Sequence, residues 1–319
     1  MFERNVKLSQ HSNYKIGGHA AYFYEAKKAA DIAPALEHWR KHRPNSMRRT
    51  PVWKDTFVLA GGTNLLINDE GYKGLILKPA LTNLSLDGEL VRVGAGVLMR
   101  DLLEFAAEKG LAGLEWAGGL PGTLGGAVRG NAGAFGGEIK DSVFEVVSLD
   151  ISKKVPKVTR RMGNECGFGY RNSIFKEKNG KEIILEAVLT LKRGDPRFIR
   201  ESIREKINFR NSRHPMDYPN IGSIFKNVDL KTVPKKRHAE FSHIVKSDPF
   251  PVVPTAYLIS QTGLKGVSYG GAMISPKHPN FIVNVLSASS EDVKKLIKLV
   301  KFEVKNKFDI QLEEEIIYV

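Results

Sequence analysis

The sequence predicts an α+β protein whose N-terminal part is built around two glycine-rich turns. Short apolar strands and amphipathic helices alternate along the chain, and no internal repeat or low-complexity tract interrupts them. The larger glycine-rich stretch, Leu114–Asp141, contains nine glycines in 28 residues, interleaved with Leu, Pro, Ala, Val and Phe. A flexible linker would be polar and serine-rich, so this stretch is expected to pack. Glycine in a packed stretch indicates a positive φ angle or a group that lies close against the main chain.

The elements before this stretch follow from hydrophobic periodicity and turn residues. Lys28–Lys41 predicts a helix, and Phe57–Ile67 predicts a strand, a tight glycine turn and a second apolar segment. Glu89–Val97 alternates as a strand does, and Leu98–Gly110 predicts an amphipathic helix that Gly110 ends.

Two further strands and a change of composition follow. Asp141–Ile151 and Glu182–Lys192 predict strands, and Arg193–Pro196 breaks the pattern before a charged helix. We place a domain boundary there. The predicted domains are residues 1–80, residues 81–195 and a mixed α and β region, residues 196–319.

Composition indicates a soluble cytoplasmic protein of two or three domains. The chain has 319 residues, with 42% hydrophobic and 26% charged side chains. Neither an apolar run near the roughly 20 residues of a membrane span nor the apolar region of a signal peptide is present. The one cysteine, Cys166, excludes an internal disulfide and a cysteine-based zinc site, and we predict no metal.

The net charge of +14 raises the question of an anionic partner. Basic residues cluster in Arg40–Arg49, Lys231–His238 and Lys294–Lys307. In the last cluster, apolar residues recur at helical spacing on another face, so a solvated helix face is the favoured interpretation. No recognition helix, RNP aromatic pair or zinc finger is found. The charge fits a nucleic acid and a nucleotide-type substrate equally well.

The two glycine turns are the first indication of chemistry. In Ala60–Asn64 and Gly118–Val128, consecutive main-chain amides can form a concave site for an anion. Neither matches the dinucleotide fingerprint or the phosphate-binding P-loop. Each alone is equally consistent with a tight turn in a β-rich fold. Together, each with Thr and a nearby Asn, they favour an extended ligand with a pyrophosphate.

The order of motifs resembles that of the UDP-N-acetylenolpyruvoylglucosamine reductase family. The resemblance spans nearly the whole chain. Its segments are His11–Ala20, Leu59–Leu77, Gly119–Asp141, Cys166–Lys176, Asn220–Asn227, Leu258–Asn284 and Leu312–Ile316.

The resemblance implies a two-subdomain FAD-binding region of the vanillyl-alcohol-oxidase/PCMH type, followed by an α+β substrate-binding domain. It implies noncovalent FAD, with NADPH as the hydride donor. The implied enzyme is UDP-N-acetylmuramate dehydrogenase, which reduces the enolpyruvyl group to give UDP-N-acetylmuramate for peptidoglycan. No counterpart of the extra tyrosine-bearing loop lies between Arg171 and Ser223, so the chain resembles the shorter type of the family.

The resemblance also implies the catalytic residues. Arg171 would clamp the substrate carboxylate and Ser223 would donate a proton. From the residues alone, a surface Arg is the alternative, but the aromatic neighbours Phe168, Tyr170, Phe175 and Tyr218 suggest that Arg171 is semi-buried. For Ser223, the residues alone favour a turn serine. Glu315 matches the second Glu of the family pattern L-E-x-E. Strand alternation would place Glu313, Glu315, Ile317 and Val319 on one face, although without the resemblance a solvated acidic run on a surface strand is favoured. A carboxylate on such a face is expected to be paired or to have a shifted pKa.

The remaining site residues are taken from matching family positions. The predicted cofactor-binding residues are Ala60, Gly61, Gly62, Thr63, Asn64, Leu65, Gly119, Pro121, Gly122, Thr123, Gly125, Gly126, Ala127, Asn131, Gly133 and Ala134. Among the predicted substrate-binding residues, Asn227 and Gln261 match family positions that contact the substrate. Lys226, Lys265, His278 and one of Arg210 and Arg213 are predicted as phosphate or carboxylate partners. For each of these residues, ordinary surface polarity is a nearly equal alternative.

Val228–Pro254 departs from the family pattern, since it is longer than the usual connection. It is either a basic mobile flap or an insertion without a role in the site. Two other functions remain open. One is an FAD-linked oxidase of the same fold that acts on an alcohol, and the other is a basic nucleic-acid-binding protein without catalysis. The favoured partner is a small sugar nucleotide, with neither nucleic acid nor membrane, and a monomer is favoured.

Overall fold

The computed structural model describes residues 2–247 and 250–319. Its strands are β1 Glu3–Lys7, β2 His19–Ala26, β3 Thr56–Val58, β4 Leu65–Leu66, β5 Tyr72–Pro79, β6 Leu84–Asp87, β7 Leu90–Gly94, β8 Leu111–Ala112, β9 Gly133–Ala134, β10 Gly137–Glu138, β11 Val143–Asp150, β12 Lys157–Met162, β13 Glu182–Thr190, β14 Lys192–Arg193, β15 Val228–Asp229, β16 Val252–Val253, β17 Ser268–Tyr269, β18 Ala272–Ile274, β19 Ile282–Asn284 and β20 Ile317–Tyr318. Its α-helices are α1 Ile32–His42, α2 Met99–Glu108, α3 Leu124–Gly130, α4 Ile174–Glu177, α5 Pro196–Arg213, α6 His238–Phe241, α7 Thr255–Gln261 and α8 Ser290–Phe308.

The chain forms two compact units, each assembled from separate segments. The first comprises Met1–Val6, Ala20–Gly61 and Tyr72–Phe209, of which Met1 lies outside the described residues. The second comprises Lys7–His19, Gly62–Gly71 and Arg210–Val319, of which Asp248 and Pro249 lie outside them.

The first unit contains two larger sheets. In a four-stranded sheet of order β1-β2-β5-β3, the central strand β5 runs parallel to both β2 and β3. A five-stranded antiparallel sheet has the order β12-β11-β13-β7-β6. Strand β13, EIILEAVLT, is buried along most of its length, as expected for a near-continuous apolar run in the middle of a sheet.

Helix α2 covers an apolar core of the first unit. Met99, Leu102, Leu103 and Ala106 are buried at helical spacing and belong to the same cluster as Val91 and Val93 of β7. The helix is followed by Gly110 at φ +63°, which confirms the predicted end. Helix α1 begins at Ile32 rather than Lys28, because a 3₁₀ turn, Ala29–Asp31, precedes it.

The second unit packs helices α7 and α8 with short strands around one core. Helix α8 begins with a capping box in which Ser289 and Asp292 exchange side-chain bonds to main-chain amides. Its residues Val293, Ile297 and Val300 are buried, while Lys298 and Lys305 are exposed, which confirms the solvated lysine face. Among the described residues, helices long and apolar enough to cross a bilayer are absent.

The segment Val228–Pro254 is built into the core of the second unit, except for Asp248 and Pro249, which are not described. Its ends pair with each other as β15 and β16. Val233 and Phe241 are buried within the same cluster as Val304 and Phe308. The described part of this segment is therefore packed rather than a free flap. The mixture of helices and sheets agrees with the predicted α+β class.

Candidate cofactor and substrate site

The glycine turns of the first unit pack main chain against main chain. A Cβ atom on Gly61 would lie 2.7 Å from the Cα of Gly122, and one on Gly125 would lie 2.9 Å from the Cβ of Ala95. Real Cβ atoms do not approach other atoms this closely, so both positions require glycine. Gly119 and Gly122 have φ angles of +71° and +110°, which L side chains rarely adopt.

Thr123 follows this turn and immediately precedes α3. Its side chain is buried, with 8% of the residue exposed. Its hydroxyl has no hydrogen-bond partner within residues 2–247 and 250–319. A buried hydroxyl without a partner costs free energy, so such a group usually serves a ligand or an ordered water. The bare main chain and this hydroxyl fit a bound group that carries hydrogen-bond acceptors, such as the pyrophosphate of FAD.

The continuation of the first glycine turn belongs to the second unit. Gly62 has a φ angle of +63°, and its own carbonyl accepts a bond of 3.0 Å from the amide of Asn13. The side chain of Asn64 donates to the carbonyl of Glu315 over 3.1 Å, and the Asn64 carbonyl accepts from Ile317 over 3.0 Å. A predicted cofactor-binding residue thus fixes the main chain that carries Glu315.

The second half of the large glycine-rich stretch forms a small hairpin. Strands β9 and β10 pair Gly133 with Glu138 and Ala134 with Gly137. A Cβ on Gly137 would lie 2.5 Å from the indole ring of Trp116, so the hairpin rests on that ring. Asn131, between α3 and this hairpin, is fully buried and has a φ angle of +43°.

Arg171 lies in a two-residue turn of the first unit. Gly169 and Asn172 exchange two main-chain hydrogen bonds of 3.0 Å each, and Arg171 between them has a φ angle of +54°. The guanidinium donates to the carbonyl of Gly133 over 2.9 Å and lies 5.2 Å from the ring centre of Tyr170. Arg171 is half-buried, as its aromatic neighbours suggested.

Ser223 and Glu315 lie on two segments that pair in the second unit. The amide of Glu315 donates to the carbonyl of Ile224 over 2.8 Å, and the amide of Lys226 donates to the carbonyl of Glu313 over 2.9 Å. The main chain beside Ser223 is therefore held against the main chain of Glu315. Within the described residues, the hydroxyl of Ser223 makes no hydrogen bond.

The predicted strand alternation around Glu315 is wrong. Only Ile317–Tyr318 forms a strand here, and Glu314 makes an isolated bridge with Phe225. Glu313 is largely exposed and pairs with Lys226, while Glu315 is half-buried. The physical reason is that this segment pairs with Phe225 only locally and then bends at Ile316 to join β4. It therefore does not present one continuous face.

The predicted substrate residues all lie in the second unit, and several already have protein partners. Lys226 pairs with Glu313, and the Asn227 side chain accepts from the amide of Thr255 over 3.2 Å. Gln261 ends helix α7, and its carbonyl accepts from Lys307. Lys265 is exposed in the loop after α7.

His278 lies in a cluster of rings that the sequence did not indicate. Its ring centre is 5.2 Å from that of His214 and 4.8 Å from that of Phe281. Burial, together with a smaller effect of neighbouring cationic side chains, lowers the pKa of both imidazoles to about 4. Both rings are therefore neutral at pH 7. His214 directly follows the charged helix α5. The pair was not predicted because His214 and His278 are far apart in the sequence.

The sequence reasoning also missed the residues that hold the Arg171 turn. Lys176 donates to the carbonyl of Arg171 over 2.8 Å, and Ser173 donates to the carbonyl of Arg129 over 2.7 Å. Asn131 was predicted from the glycine block but not as a partner of this turn. Such partners are separated by tens of residues, so no local pattern reveals them.

Comparison with known proteins agrees with these features. A family model described as the C-terminal domain of UDP-N-acetylenolpyruvoylglucosamine reductase matches residues 214–319, and an FAD binding domain model matches residues 23–151. The reductase of Clostridium tetani (strain Massachusetts / E88) is 32% identical, over 99% of this chain and 91% of that protein. The reductase of Thermotoga sp. (strain RQ2) is 36% identical, over 99% of this chain and 92% of that protein.

A solved structure extends the similarity to the fold. The crystal structure of UDP-N-acetylenolpyruvylglucosamine reductase from Thermus caldophilus has a TM-score of 0.75 and 28% identity, covering 100% of this chain and 98% of that chain. The family and the FAD-binding fold predicted from the motifs are thereby confirmed. The chain belongs to the UDP-N-acetylenolpyruvoylglucosamine reductase family.

Proposed function

We propose that this protein reduces the enolpyruvyl group of UDP-N-acetylenolpyruvoylglucosamine, using NADPH and noncovalent FAD, to give UDP-N-acetylmuramate for peptidoglycan. The observation that carries the proposal is the main-chain pairing of the segment after Ser223 with that of Glu315 in a chain of this family. These are two of the three side chains that the reaction needs.

The cofactor would be held by the glycine turns. FAD, when bound, supplies the two-electron chemistry that carries a hydride from NADPH to the enol ether. The positive-φ turn at Gly119 and Gly122, against which Gly61 packs, would present its main-chain amides to the cofactor, and Thr123 offers its buried hydroxyl. The other proposed contacts are Ala60, Gly62, Thr63, Asn64, Leu65, Pro121, Gly125, Gly126, Ala127, Gly133 and Ala134.

Arg171 would bind and stabilise the substrate carboxylate. Hydride addition builds negative charge on this carboxylate in an enolate-like species. A preorganised donor facing such charge contributes on the order of 3 kcal/mol to catalysis. The bond from the guanidinium to Gly133 restricts its side chain before substrate arrives, which supports this role.

Ser223 would donate the proton that completes the carbon next to the carboxylate. A serine hydroxyl is a weak acid and needs a charged group nearby to make the transfer favourable. We assign that task to Glu315, whose main chain is bonded to Ile224, the residue after Ser223.

Lys226, Asn227, Gln261, Lys265 and His278 would bind the sugar nucleotide. The two lysines among them suit the diphosphate. We further propose that the protein acts as a cytoplasmic monomer, with functional domains at residues 1–80, 81–195 and 196–319.

The half-reactions test this assignment separately. In Ser223→Ala, NADPH should reduce the bound flavin at the wild-type rate, because the proton donor acts only later. Reoxidation by the enolpyruvyl sugar nucleotide should slow by about 100-fold or more, the usual contribution of a positioned proton donor. Both are followed by stopped-flow absorbance of the flavin.

Ser268→Ala is the matched control, since Ser268 is exposed in the same unit. It should behave as wild type in both half-reactions. Wild-type reoxidation in Ser223→Ala would refute the donor assignment. A protein that contains no flavin and takes up no added FAD would refute the proposed function as a whole.

A further inference from the structure

We propose that Asn131 is a positioning residue for Arg171, acting through the turn that carries it rather than through the cofactor. The proposal rests on the function assigned to Arg171 above. All the contacts that carry it lie within the first unit.

The side chain of Asn131 is engaged on both sides by protein groups. Its amide nitrogen donates to the carbonyl of Gly169 over 2.9 Å, and its oxygen accepts from the amide of Lys140 over 3.3 Å. The residue is 0% exposed. A buried carboxamide with these two partners is committed to the protein, because an unsatisfied buried polar group would be costly.

The carbonyl that Asn131 binds belongs to the turn of Arg171. Gly169 closes that turn by exchanging two main-chain bonds with Asn172. Arg171 inside it has a left-handed backbone, with φ +54°, which costs free energy for a residue with a side chain. Such a conformation persists only where its surroundings fix it. The bond from Asn131 is one such constraint.

The same short segment also holds the far end of the arginine. Gly133, two residues after Asn131, accepts from the guanidinium over 2.9 Å. Arg129, two residues before it, accepts from Ser173 over 2.7 Å. Arg129–Gly133 therefore fixes Arg171 both at its main chain and at its charged group. Because this segment begins in the last turn of α3, the helix of the glycine block, one element would serve both cofactor and substrate carboxylate.

The loss of the hydrogen bond from Asn131 to Gly169 should affect only one of the two half-reactions. Once Gly169 loses this donor, the turn can relax toward an ordinary backbone and carry the guanidinium away from its place. Flavin reduction by NADPH does not use the substrate carboxylate and should be unaffected. Reoxidation by the enolpyruvyl sugar nucleotide does use it and should slow.

The experiment compares Asn131→Asp, Arg171→Ala and Asn179→Asp in the flavin-loaded protein. Aspartate keeps the oxygen that Lys140 binds but cannot donate to Gly169. Asn179→Asp is the matched control, because Asn179 is also left-handed, with φ +44°, but exposed. Flavin content, thermal midpoint and both half-reactions are measured for each.

We expect Asn131→Asp to keep its flavin, to be reduced at the wild-type rate, and to be reoxidised 10- to 100-fold more slowly at saturating substrate. Asn179→Asp should match wild type. Slow reoxidation in Arg171→Ala with wild-type reoxidation in Asn131→Asp would overturn the positioning role alone. Wild-type reoxidation in Arg171→Ala would remove the proposed function of Arg171 and the positioning role with it.

Two other outcomes also decide the question. A folded Asn131→Asp protein that releases its flavin would identify Asn131 as a cofactor contact and overturn the proposal. If Asn131→Asp does not fold, Asn131→Gly takes its place, because glycine accepts φ +43° and lacks the carboxamide. The expected and contradicting results are the same for that variant.

Discussion

The Cα of Gly122 occupies the space that a Cβ on Gly61 would need, at a separation of 2.7 Å. Two turns that are 61 residues apart in the chain therefore touch through main-chain atoms alone. Gly61 cannot accept a side chain unless one turn moves, and Gly122 has a φ angle of +110° that L side chains rarely adopt. This contact explains why the proposed cofactor region is rich in glycine on both sides.

Gly61→Ala should abolish stable flavin binding. The added methyl group meets main-chain atoms of Gly122, which cannot rotate away as a side chain would, so the turns must separate. We expect the protein to purify largely without flavin and with a lower thermal midpoint. The measurement is the flavin-to-protein absorbance ratio before and after denaturation.

Gly130→Ala is the control for that variant. Gly130 lies in helix α3 of the same block, and a Cβ there meets no atom within 4 Å. It should keep its flavin and gain slightly in stability, because alanine favours a helix by up to about 1 kcal/mol. Full flavin content in Gly61→Ala would show that the turn contact is not needed for binding.

Thr123→Val should separate cofactor affinity from stability. Valine has the shape of threonine but lacks the hydroxyl, which is buried and has no partner in the described residues. The apoprotein should melt at the same temperature or higher, because an unsatisfied buried hydroxyl is removed. The Kd for FAD should rise about tenfold, equivalent to about 1.4 kcal/mol for one lost hydrogen bond.

Thr56→Val gives the contrast. Thr56 is also buried in the first unit, but its hydroxyl donates to the carbonyl of Val52 over 2.9 Å. Its loss should lower the melting temperature of the apoprotein and leave FAD affinity near that of wild type. If Thr123→Val instead destabilised the apoprotein and bound FAD normally, its hydroxyl would have a structural role.

Glu182→Gln should strongly destabilise the first unit without changing the half-reactions. The Glu182 side chain is 1% exposed and accepts from Arg161 over 2.6 and 2.8 Å and from Ser148 over 3.0 Å. Burial raises the pKa of its carboxyl, but the ion pair with Lys178 and these bonds together outweigh burial and hold the pKa below the usual range. Removing the charge leaves the guanidinium of Arg161, whose side chain is only 15% exposed, without this counter-ion.

The expected loss for Glu182→Gln is about 3 kcal/mol of unfolding free energy, from urea titration at pH 7. Glu145→Gln on the neighbouring strand is the control, because its partner Arg160 is 61% exposed in the pair. Exposed pairs contribute at most about 1 kcal/mol. Equal losses for the two variants would contradict the importance of the buried network.

The sequence predicted those parts of the fold that depend on local patterns. Periodicity placed helix α2 and strands β11 and β13 within a few residues of their observed bounds. It also placed the buried face of α8, because apolar spacing records which face meets the core. The residues of the proposed site were chosen for a different reason: each of its motifs is a short continuous segment of the chain.

What the sequence did not predict depends on pairing between distant segments. Glu315 seemed to lie on a regular strand, yet its orientation depends on a local pairing with Ile224 and on the bond from Asn64. The partners of Asn131 and Glu182 likewise come from other segments. The residues next to Glu315 in the sequence carry no information about such contacts. Strand alternation alone therefore predicted one continuous face around Glu315, which the structure does not have.

The paired imidazoles of His214 and His278 predict acid sensitivity of the second unit. Each has a pKa of about 4 in the folded protein, lowered by burial from 6.5. Between these values the unfolded chain binds protons that the folded chain does not, so stability is full above pH 6.5 and falls as the pH falls toward 4. Between pH 6.5 and pH 4, the expected loss of unfolding free energy is on the order of 1 kcal/mol for each ring, after allowing for solvent screening.

His214→Phe should reduce this pH dependence. Phenylalanine retains the ring that packs 5.0 Å from Phe281 but cannot take a proton. The substitution also removes the imidazole next to His278. The cationic neighbours of His278, Lys246 and Lys265, remain. The thermal midpoint of the apoprotein between pH 7 and pH 4.5 should therefore fall less steeply than in wild type. His19→Phe, at an exposed position of the same unit, should keep the wild-type slope. An unchanged slope in His214→Phe would mean that other groups cause the acid sensitivity.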